Sequence, residues 1–509
     1  MKKTRRIAAM IAATALAATM VIPAMSFSAS AYNVTITQNT DDKGTHTYGA
    51  YQIFAGTLAA DGTLSNITWG SGITAAGQAA LGDAAAYAKS ITAATAPTKA
   101  AELAGYLASP EGTGADKIEG LTGGYYLIQD TVEPTGSPAS RTKFILKVVK
   151  DETVDVNVKS SVPSVEKKVQ DINDSEATPT LSGLQDSADY EIGDSIPYTI
   201  TATIGAGIEN FEKYSFEFHD EMSPGLSMDD AVEWKITIGG KDVTANFTMT
   251  NTGNTYTWAV TDNDLKAYTY TEGGTATAGT LAAGDEVVLT YNAYLNANAV
   301  VGAAGNPNDV WLKFDNNPNN CGKGTPGAET PKDKNIVFTY KTVINKVDDK
   351  GAALVGANFT LYKKIGEDWV DVTTLGGTGG AKPTKTGDET GSTFTFSGLD
   401  DGDYKLSETA TPQGYDSISD IEFKITATHD IISDNPQLTA LTGTGTGITL
   451  TPDLDAGSLT GAIENVPGSS LPSTGGIGTT LFILCGSIGA AITGVYLVSR
   501  KRTKEEAAE

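Results

Sequence analysis

A few side chains in this sequence have neighbours that could turn a solvated charge into chemistry. The run Tyr340-Lys341-Thr342-Val343-Ile344-Asn345-Lys346-Val347 alternates as a strand. It puts Tyr340, Thr342, Ile344 and Lys346 on one face and Val343, Asn345 and Val347 on the other. Either face could be core, so alternation leaves the direction of Lys346 open. In Gly402 to Glu408, the residues Tyr404, Leu406 and Glu408 share a face. The Glu408 carboxylate then sits at a sheet rim or inside with a partner. Ala462-Ile463-Glu464-Asn465 reads as a last strand ending in a carboxamide. In Val165-Glu166-Lys167-Lys168-Val169, Lys167 shares a face with two valines and Lys168 with Glu166, so Lys167 is the expected inward lysine. A lysine held in an apolar interior tends to lose its charge and become a nucleophilic amine. A neutral carboxyl beside it can serve as a general acid.

Other chemistries are poorly supported. His46, His219 and His429 lie far apart, and Cys485 falls within a C-terminal apolar run, which leaves Cys321 alone in the remaining chain. A zinc centre, a Ser/Cys–His nucleophile and an internal disulfide are therefore not expected. Asp400-Asp401-Gly402-Asp403 reads as a solvated turn, because it lacks the spaced ligand set of an EF-hand. No metal or cofactor is expected, and no catalytic constellation marks an enzyme. The chain has 61 acidic against 36 basic residues and a net charge of -25, without the basic footprint of a nucleic-acid binder.

The elements that must position these groups are mostly strands. At the N-terminus, Lys2, Lys3, Arg5 and Arg6 precede an apolar stretch from Ile7 to Met25 and the small residues Ala29-Ser30-Ala31. That pattern is a secretory signal peptide over residues 1–31. At the other end, Leu471-Pro472-Ser473-Thr474-Gly475 precedes an uncharged run from Ile477 to Ser499 and then Arg500-Lys501-Arg502. The run is long enough to span a bilayer as a helix, with the cationic cluster on the cytoplasmic side. Between the two ends, about 440 residues suggest roughly three domains, expected at 32–162, 163–332 and 333–467, with 468–509 as the C-terminal signal and membrane helix. Pro163 marks the first boundary. The Ala-rich composition from Thr74 to Leu107 predicts two short helices inserted among strands. Elsewhere, short alternating runs with Gly and Asp turns predict a mostly β chain of three tandem Ig-like sandwiches. A single strand from Ile336 to Val347 is expected to open the third.

Taken together, these segments resemble known families. Leu471 to Gly475, with its apolar run and basic tail, resembles the cell-wall sorting signal of Gram-positive surface proteins. That resemblance implies that a sortase cuts between Thr474 and Gly475 and joins the Thr474 carboxyl to an amine. Lys346 in Asn345-Lys346-Val347-Asp348, followed by Leu354 to Phe359, resembles the first strand of the collagen-adhesin B-type repeat. The segment from Tyr404 to Tyr415 is similar to the E-box of pilins. The resemblance implies that the Lys346 amine attacks the Asn465 carboxamide, with Glu408 as the promoting acid, and that ammonia leaves behind an isopeptide bond. Phe216 to Leu226 resembles the acid motif of pilin middle domains, which points to Asp220. With Lys167, the resemblance assigns Asn317 as bond partner, with Lys168 and Asn316 as near alternatives. In the first module Gly124 to Asp130 is similar to a weakened acid-bearing strand, but no Lys–Asn pair accompanies it and no bond is expected there.

Val156-Asn157-Val158-Lys159 keeps the valines and the lysine of the backbone-pilin acceptor motif but lacks its Trp and Tyr-Pro. Lys159 is the expected intersubunit acceptor, with Lys147, Lys150, Lys167 and Lys168 nearby. The whole chain thus resembles the major pilin of sortase-assembled Gram-positive pili. The implied partners are pilus-specific and housekeeping sortases, identical subunits, accessory pilins and peptidoglycan. The alternative reading is a monomeric wall-anchored adhesin or accessory pilin.

Overall fold

The computed structural model describes residues 31–159, 162–320, 324, 326–375, 377–469, 471 and 477–505. Ala29, Ser30, Cys321 and the segment 472–476, which includes Pro472, Thr474 and Gly475, lie outside them. The described chain forms three successive β modules and a C-terminal helix.

In the first module, Leu64–Trp69, Tyr48–Leu58, Gly124–Asp130 and Ile145–Val149 form one antiparallel sheet, with Gly112–Gly114 against Tyr48–Leu58. Lys117–Leu121, Tyr32–Thr37 and Thr153–Asn157 form a second, and the last two of these pair in parallel. The alternation of Val154 and Val156 drives them inward onto Val34, Ile36 and Tyr126. Three helices, Ala75–Leu81, Ala84–Ser90 and Ala96–Ala104, cover Tyr51, Phe54 and Leu127. That is one helix more than the sequence suggested. Uniform Ala content hides the breaks, whereas the caps show them: Thr74 accepts from Gly77 N–H, Asp83 accepts from Ala86 N–H, and proline opens the third helix.

The second module is a sandwich of two sheets. Ile196–Thr203 is flanked by Ser164–Val169 and Glu286–Leu295 in one sheet. In the other, Phe216–Met222 lies between Asn306–Phe314 and Thr255–Val260. Tyr198, Trp258, Phe218, Val310 and Leu312 fill the space between them. The strand expected to run unbroken from Ile336 is instead two strands. Asp333–Phe338 pairs with Asn306–Phe314 and Ser187–Asp189 in the second module. Only Tyr340–Val347 belongs to the third. The switch occurs at buried Thr339, whose hydroxyl donates to Leu399 O at 2.9 Å, and no Gly or Pro announces it.

In the third module Tyr340–Val347 lies between Thr393–Leu399 and Ser458–Glu464, the latter in parallel. The facing sheet is built from Asn358–Ile365, Gly402–Ala410, Ile421–His429 and Leu438–Gly445. Phe359, Leu361, Phe394, Phe396 and Leu406 make its core. The C-terminal helix runs over Ile477–Glu505, with side chains described for 484–501. Among the described residues no helix is long and apolar enough to cross a membrane; residues 477–483 of the expected span have no described side chains.

Candidate cross-linking sites

In the third module the parallel pairing sets Lys346 opposite Ile463, with Asn465 two residues further along the same inward face. Lys346, Ile463 and Asn465 are all buried. The Lys346 ammonium nitrogen donates to Val347 O at 2.8 Å and Ile463 O at 2.9 Å, which holds it against the last strand. Burial lowers its pKa from the ordinary lysine value, against the opposing pull of the Glu408 and Glu464 charges. The Asn465 side-chain amide donates to Glu408 Oε1 at 2.9 Å and Oε2 at 3.2 Å. Glu408 is fixed in turn by Thr411 Oγ1 at 3.1 Å and Ile418 N–H at 3.2 Å. A desolvated amine, a carboxamide and an acid touching the nitrogen that would leave are thus assembled where the first and last strands of the module meet.

In the second module Lys167 is fully buried, and its Nζ donates to Asp220 Oδ2 and to the Tyr291 hydroxyl, the latter at 2.8 Å. Lys168 points out to ion pairs with Glu166 at 2.9 Å and Asp186 at 2.6 Å. Burial lowers the Lys167 pKa despite the adjacent Asp220 charge. The nitrogen also lies 4.9 Å over the Tyr198 ring, a contact that keeps a desolvated cation tolerable.

The carboxamide brought to this cluster is not that of Asn317. Asn317 lies beyond the end of Asn306–Phe314 and accepts from Asn319 N–H at 3.0 Å. Its neighbours build the joint to the first module. Asn316 O accepts from Arg141 N–H at 2.8 Å, Asn316 Nδ2 donates to Glu133 at 2.9 Å, and Asn319 Nδ2 donates to Thr142 O at 2.8 Å. The buried Asn308 reaches the cluster instead, donating through Nδ2 at 2.9 Å to the same Tyr291 hydroxyl that accepts from Lys167. Asn335 is also buried, but its Nδ2 is spent on the carbonyls of Lys167 and Asp186, both at 3.1 Å, where it bridges strands. Asn308 is in phase with Val310 and Leu312 along its strand, and that inward alternation is the signal that points to it.

Lysines of the first module are exposed or half-buried. Its buried charge is instead His46, whose Nδ1 meets Asp130 at 2.7 Å and Nε2 meets Asp42 at 3.2 Å. Burial opposes the ring's charge, but the two carboxylates outweigh it and push the pKa up to about 9.

Lys159 is exposed just past Thr153–Asn157. Its main chain is fixed, N–H to Thr142 Oγ1 at 2.8 Å and carbonyl from Lys143 N–H at 3.1 Å. It lines a cleft of about 1020 Å³ between the first and second modules, with Pro97, Phe144, Lys147, Lys150 and Phe211. Buried Lys167 and ion-paired Lys168 are not part of that cleft. At the other end Leu471 is exposed, and the rest of the sorting pentapeptide is outside the described residues.

The turn expected to be solvated at Asp400 is buried at the joint of the second and third modules. Lys363, in phase with Phe359 and Leu361, is fully buried there, with its Nζ 2.7 Å from Asp174, 3.1 Å from Glu191 and 3.1 Å from Asp400. His429 sits 3.6 Å from Asp171 and 3.5 Å from Asp189. Asp189, Asp400 and Asp401 bring three carboxylate oxygens within 4.8 Å of one another. Burial, then the charges of Asp189 and Asp171, push Asp401 up to about 7. Lys363 lies 3.1 Å from Asp400 and His429 3.5 Å from Asp189 as the cationic side chains facing this cluster. Gly193, at φ +99°, lets the backbones touch at this joint: a Cβ there would lie 2.3 Å from Ala381 O.

Comparison with known proteins agrees with this architecture. Residues 192–318 match the Gram-positive pilin backbone subunit 2, Cna-B-like domain, residues 341–436 the SpaA prealbumin-like fold domain, and residues 464–505 the LPXTG cell wall anchor motif. The trypsin-resistant surface T6 protein of Streptococcus pyogenes serotype M6 is 25% identical over 283 residues, covering 53% of this chain and 46% of that relative. The structure of the T6 backbone pilin of serotype M6 Streptococcus pyogenes, described as a modular three-domain structure, superposes with a TM-score of 0.53. It is 16% identical, and the match covers 86% of this chain and 98% of that one. Residues 192–318 of this chain thus match a Gram-positive pilin backbone domain and residues 464–505 an LPXTG cell wall anchor motif, on a fold of tandem β-sandwich modules similar to the T6 pilin.

Proposed function

We propose that this chain is the shaft subunit of a covalently polymerised pilus, stiffened by two internal bonds, Lys167–Asn308 and Lys346–Asn465. The observation that carries this reading is the recurrence, in two different modules, of a buried lysine, an acid and a buried carboxamide. A buried lysine is costly unless it is paired; buried Lys363 is answered by three carboxylates, whereas Lys167 and Lys346 each lie in a cluster with one acid and a buried carboxamide. The neutral amine attacks the carboxamide carbon, the C–N bond to ammonia breaks, and the acid moves the proton from the attacking to the departing nitrogen. Each reaction occurs once per chain, so the protein is a polymer component and not an enzyme. Both bonds tie the first strand of a module to a strand near its end, the first from Ser164–Val169 across to Asn306–Phe314 in the facing sheet and the second from Tyr340–Val347 to the end of the adjacent Ser458–Glu464.

Polymerisation uses the two termini. Sortase forms an acyl-enzyme at Thr474, and an exposed lysine in the cleft of the next subunit, Lys159, resolves it. Lys159 is accessible, has a fixed backbone and stands between two modules. The last subunit joins peptidoglycan. Replacing Lys159 by Ala in the native host is expected to abolish the high-mass ladder on a denaturing gel. An unchanged ladder would mean that another lysine, such as Lys147 or Lys150 in the same cleft, accepts the threonine.

A further inference from the structure

The two bond sites differ in how the acid reaches the nitrogen that must leave. In the third module Glu408 touches Asn465 Nδ2 with both oxygens, at 2.9 and 3.2 Å. In the second module the acid is an aspartate, one methylene shorter. Asp220 Oδ2 is engaged by Lys167 and by the Tyr291 hydroxyl, and its Oδ1 is buried with no hydrogen-bond partner among the described residues. The gap between Asp220 and Asn308 is bridged by one atom, the Tyr291 oxygen. It donates to Asp220 Oδ2 at 2.6 Å and accepts from Asn308 Nδ2 at 2.9 Å and from Lys167 Nζ at 2.8 Å. All four side chains are buried. The ring is held by stacking on Tyr198 at 5.3 Å and Trp258 at 5.6 Å, so the hydroxyl is fixed in place.

We propose that Tyr291 is a catalytic residue of the second-module cross-link, relaying a proton from Asp220 to the departing nitrogen of Asn308. This rests on the Lys167–Asn308 bond proposed above. As the Lys167 amine bonds to Asn308 Cγ, its surplus proton passes to Asp220. The Tyr291 hydroxyl gives its proton to Nδ2 and takes one back from Asp220. Nδ2 leaves as ammonia, the Lys167–Asn308 amide remains, and Asp220 and Tyr291 return to their starting states. The third module needs no such relay, because its longer acid makes the contact directly.

The test follows intact mass and peptide mapping of the ectodomain over hours after a short induction, in wild type and Tyr291→Phe. Phenylalanine keeps the ring and its stacking while removing the relay. The third-module bond in the same molecule is the internal control, and Asn308→Ala supplies the mass of a chain without the second-module bond. Wild type is expected to lose ammonia from both modules, whereas Tyr291→Phe forms the third-module bond on time and the second-module bond roughly 100-fold more slowly. Equal rates in the two proteins would overturn the relay and leave the Lys167–Asn308 bond standing. A wild type without that bond would overturn the bond itself. Should Tyr291→Phe misfold, 3-fluorotyrosine at position 291 keeps the hydroxyl but makes it more acidic. The pH profile of second-module bond formation is then expected to shift, and an unmoved profile would count against the relay.

Discussion

Asn465 and Glu408 are joined twice, the carboxamide nitrogen donating to both carboxylate oxygens at 2.9 and 3.2 Å. The acid is therefore placed at the nitrogen that the proposed Lys346–Asn465 bond would release. Glu408→Ala is expected to leave the third module unlinked while the second still loses ammonia. The ectodomain should then be only one ammonia, about 17 Da, lighter than the variant's own sequence, instead of two. A deficit still of two ammonias would show that the acid is dispensable.

Asn308 and Asn317 separate two roles that the sequence placed together. Asn308→Ala should remove the second-module bond and add back one ammonia, whereas Asn317→Ala should leave the mass deficit untouched. Peptide mapping checks both, and a bond lost only in the Asn317 variant would reverse the assignment.

Lys363 forms ion pairs with Asp174, Glu191 and Asp400 inside the joint of the second and third modules. Lys363→Met leaves the buried Glu191 and Asp400 and the half-buried Asp174 without this cation. It should lower the stability of the joined pair by about 3–5 kcal/mol, read by denaturant unfolding. Small-angle scattering should show the two modules hinging, and a rigid variant of wild-type stability would contradict this role.

The same joint should weaken as pH rises. Asp401 is raised to about 7 by burial and by the charges of Asp189 and Asp171. A raised carboxyl contributes stability below its unfolded value, near 4, and loses it as pH passes 7. His429 is raised to about 10, because its bonds to Asp171 and Asp189 outweigh burial. Its contribution is complete below about 6.5 and is lost as pH climbs toward 10. Both shifts have the same sign. The melting temperature of the second and third modules together should be several degrees higher at pH 5 than at pH 9, by calorimetry. The first module should follow suit between pH 6.5 and 9 through His46.

Much of this was legible in the chain. Alternation around Lys167 and Lys346 gave inward lysines or left them open, and the terminal Asn465 needed only its strand. The C-terminal sorting pentapeptide and the first-strand pattern were local signals. What alternation missed was tertiary. Tyr291 is one of several aromatic residues along the chain, and nothing local reveals that its hydroxyl meets Lys167, Asp220 and Asn308. Asn317 lies in a run of asparagines whose backbone caps a domain joint. Asn308, in phase with Val310 and Leu312, was readable but did not stand out. Asp400 reads as a turn residue until Lys363, from a strand nearly forty residues earlier, is placed against it. Thr339 switches the chain from one module's sheet to the next without Gly or Pro, because a buried side chain can end a ladder by its packing alone.

Intact mass of the purified mature ectodomain, from Tyr32 to the tether before Leu471, tests the central claim most directly. Two completed Lys–Asn bonds should leave the protein about 34 Da lighter than its sequence, with linked peptides joining Lys167 to Asn308 and Lys346 to Asn465. A mass equal to the uncorrected sequence would contradict both bonds.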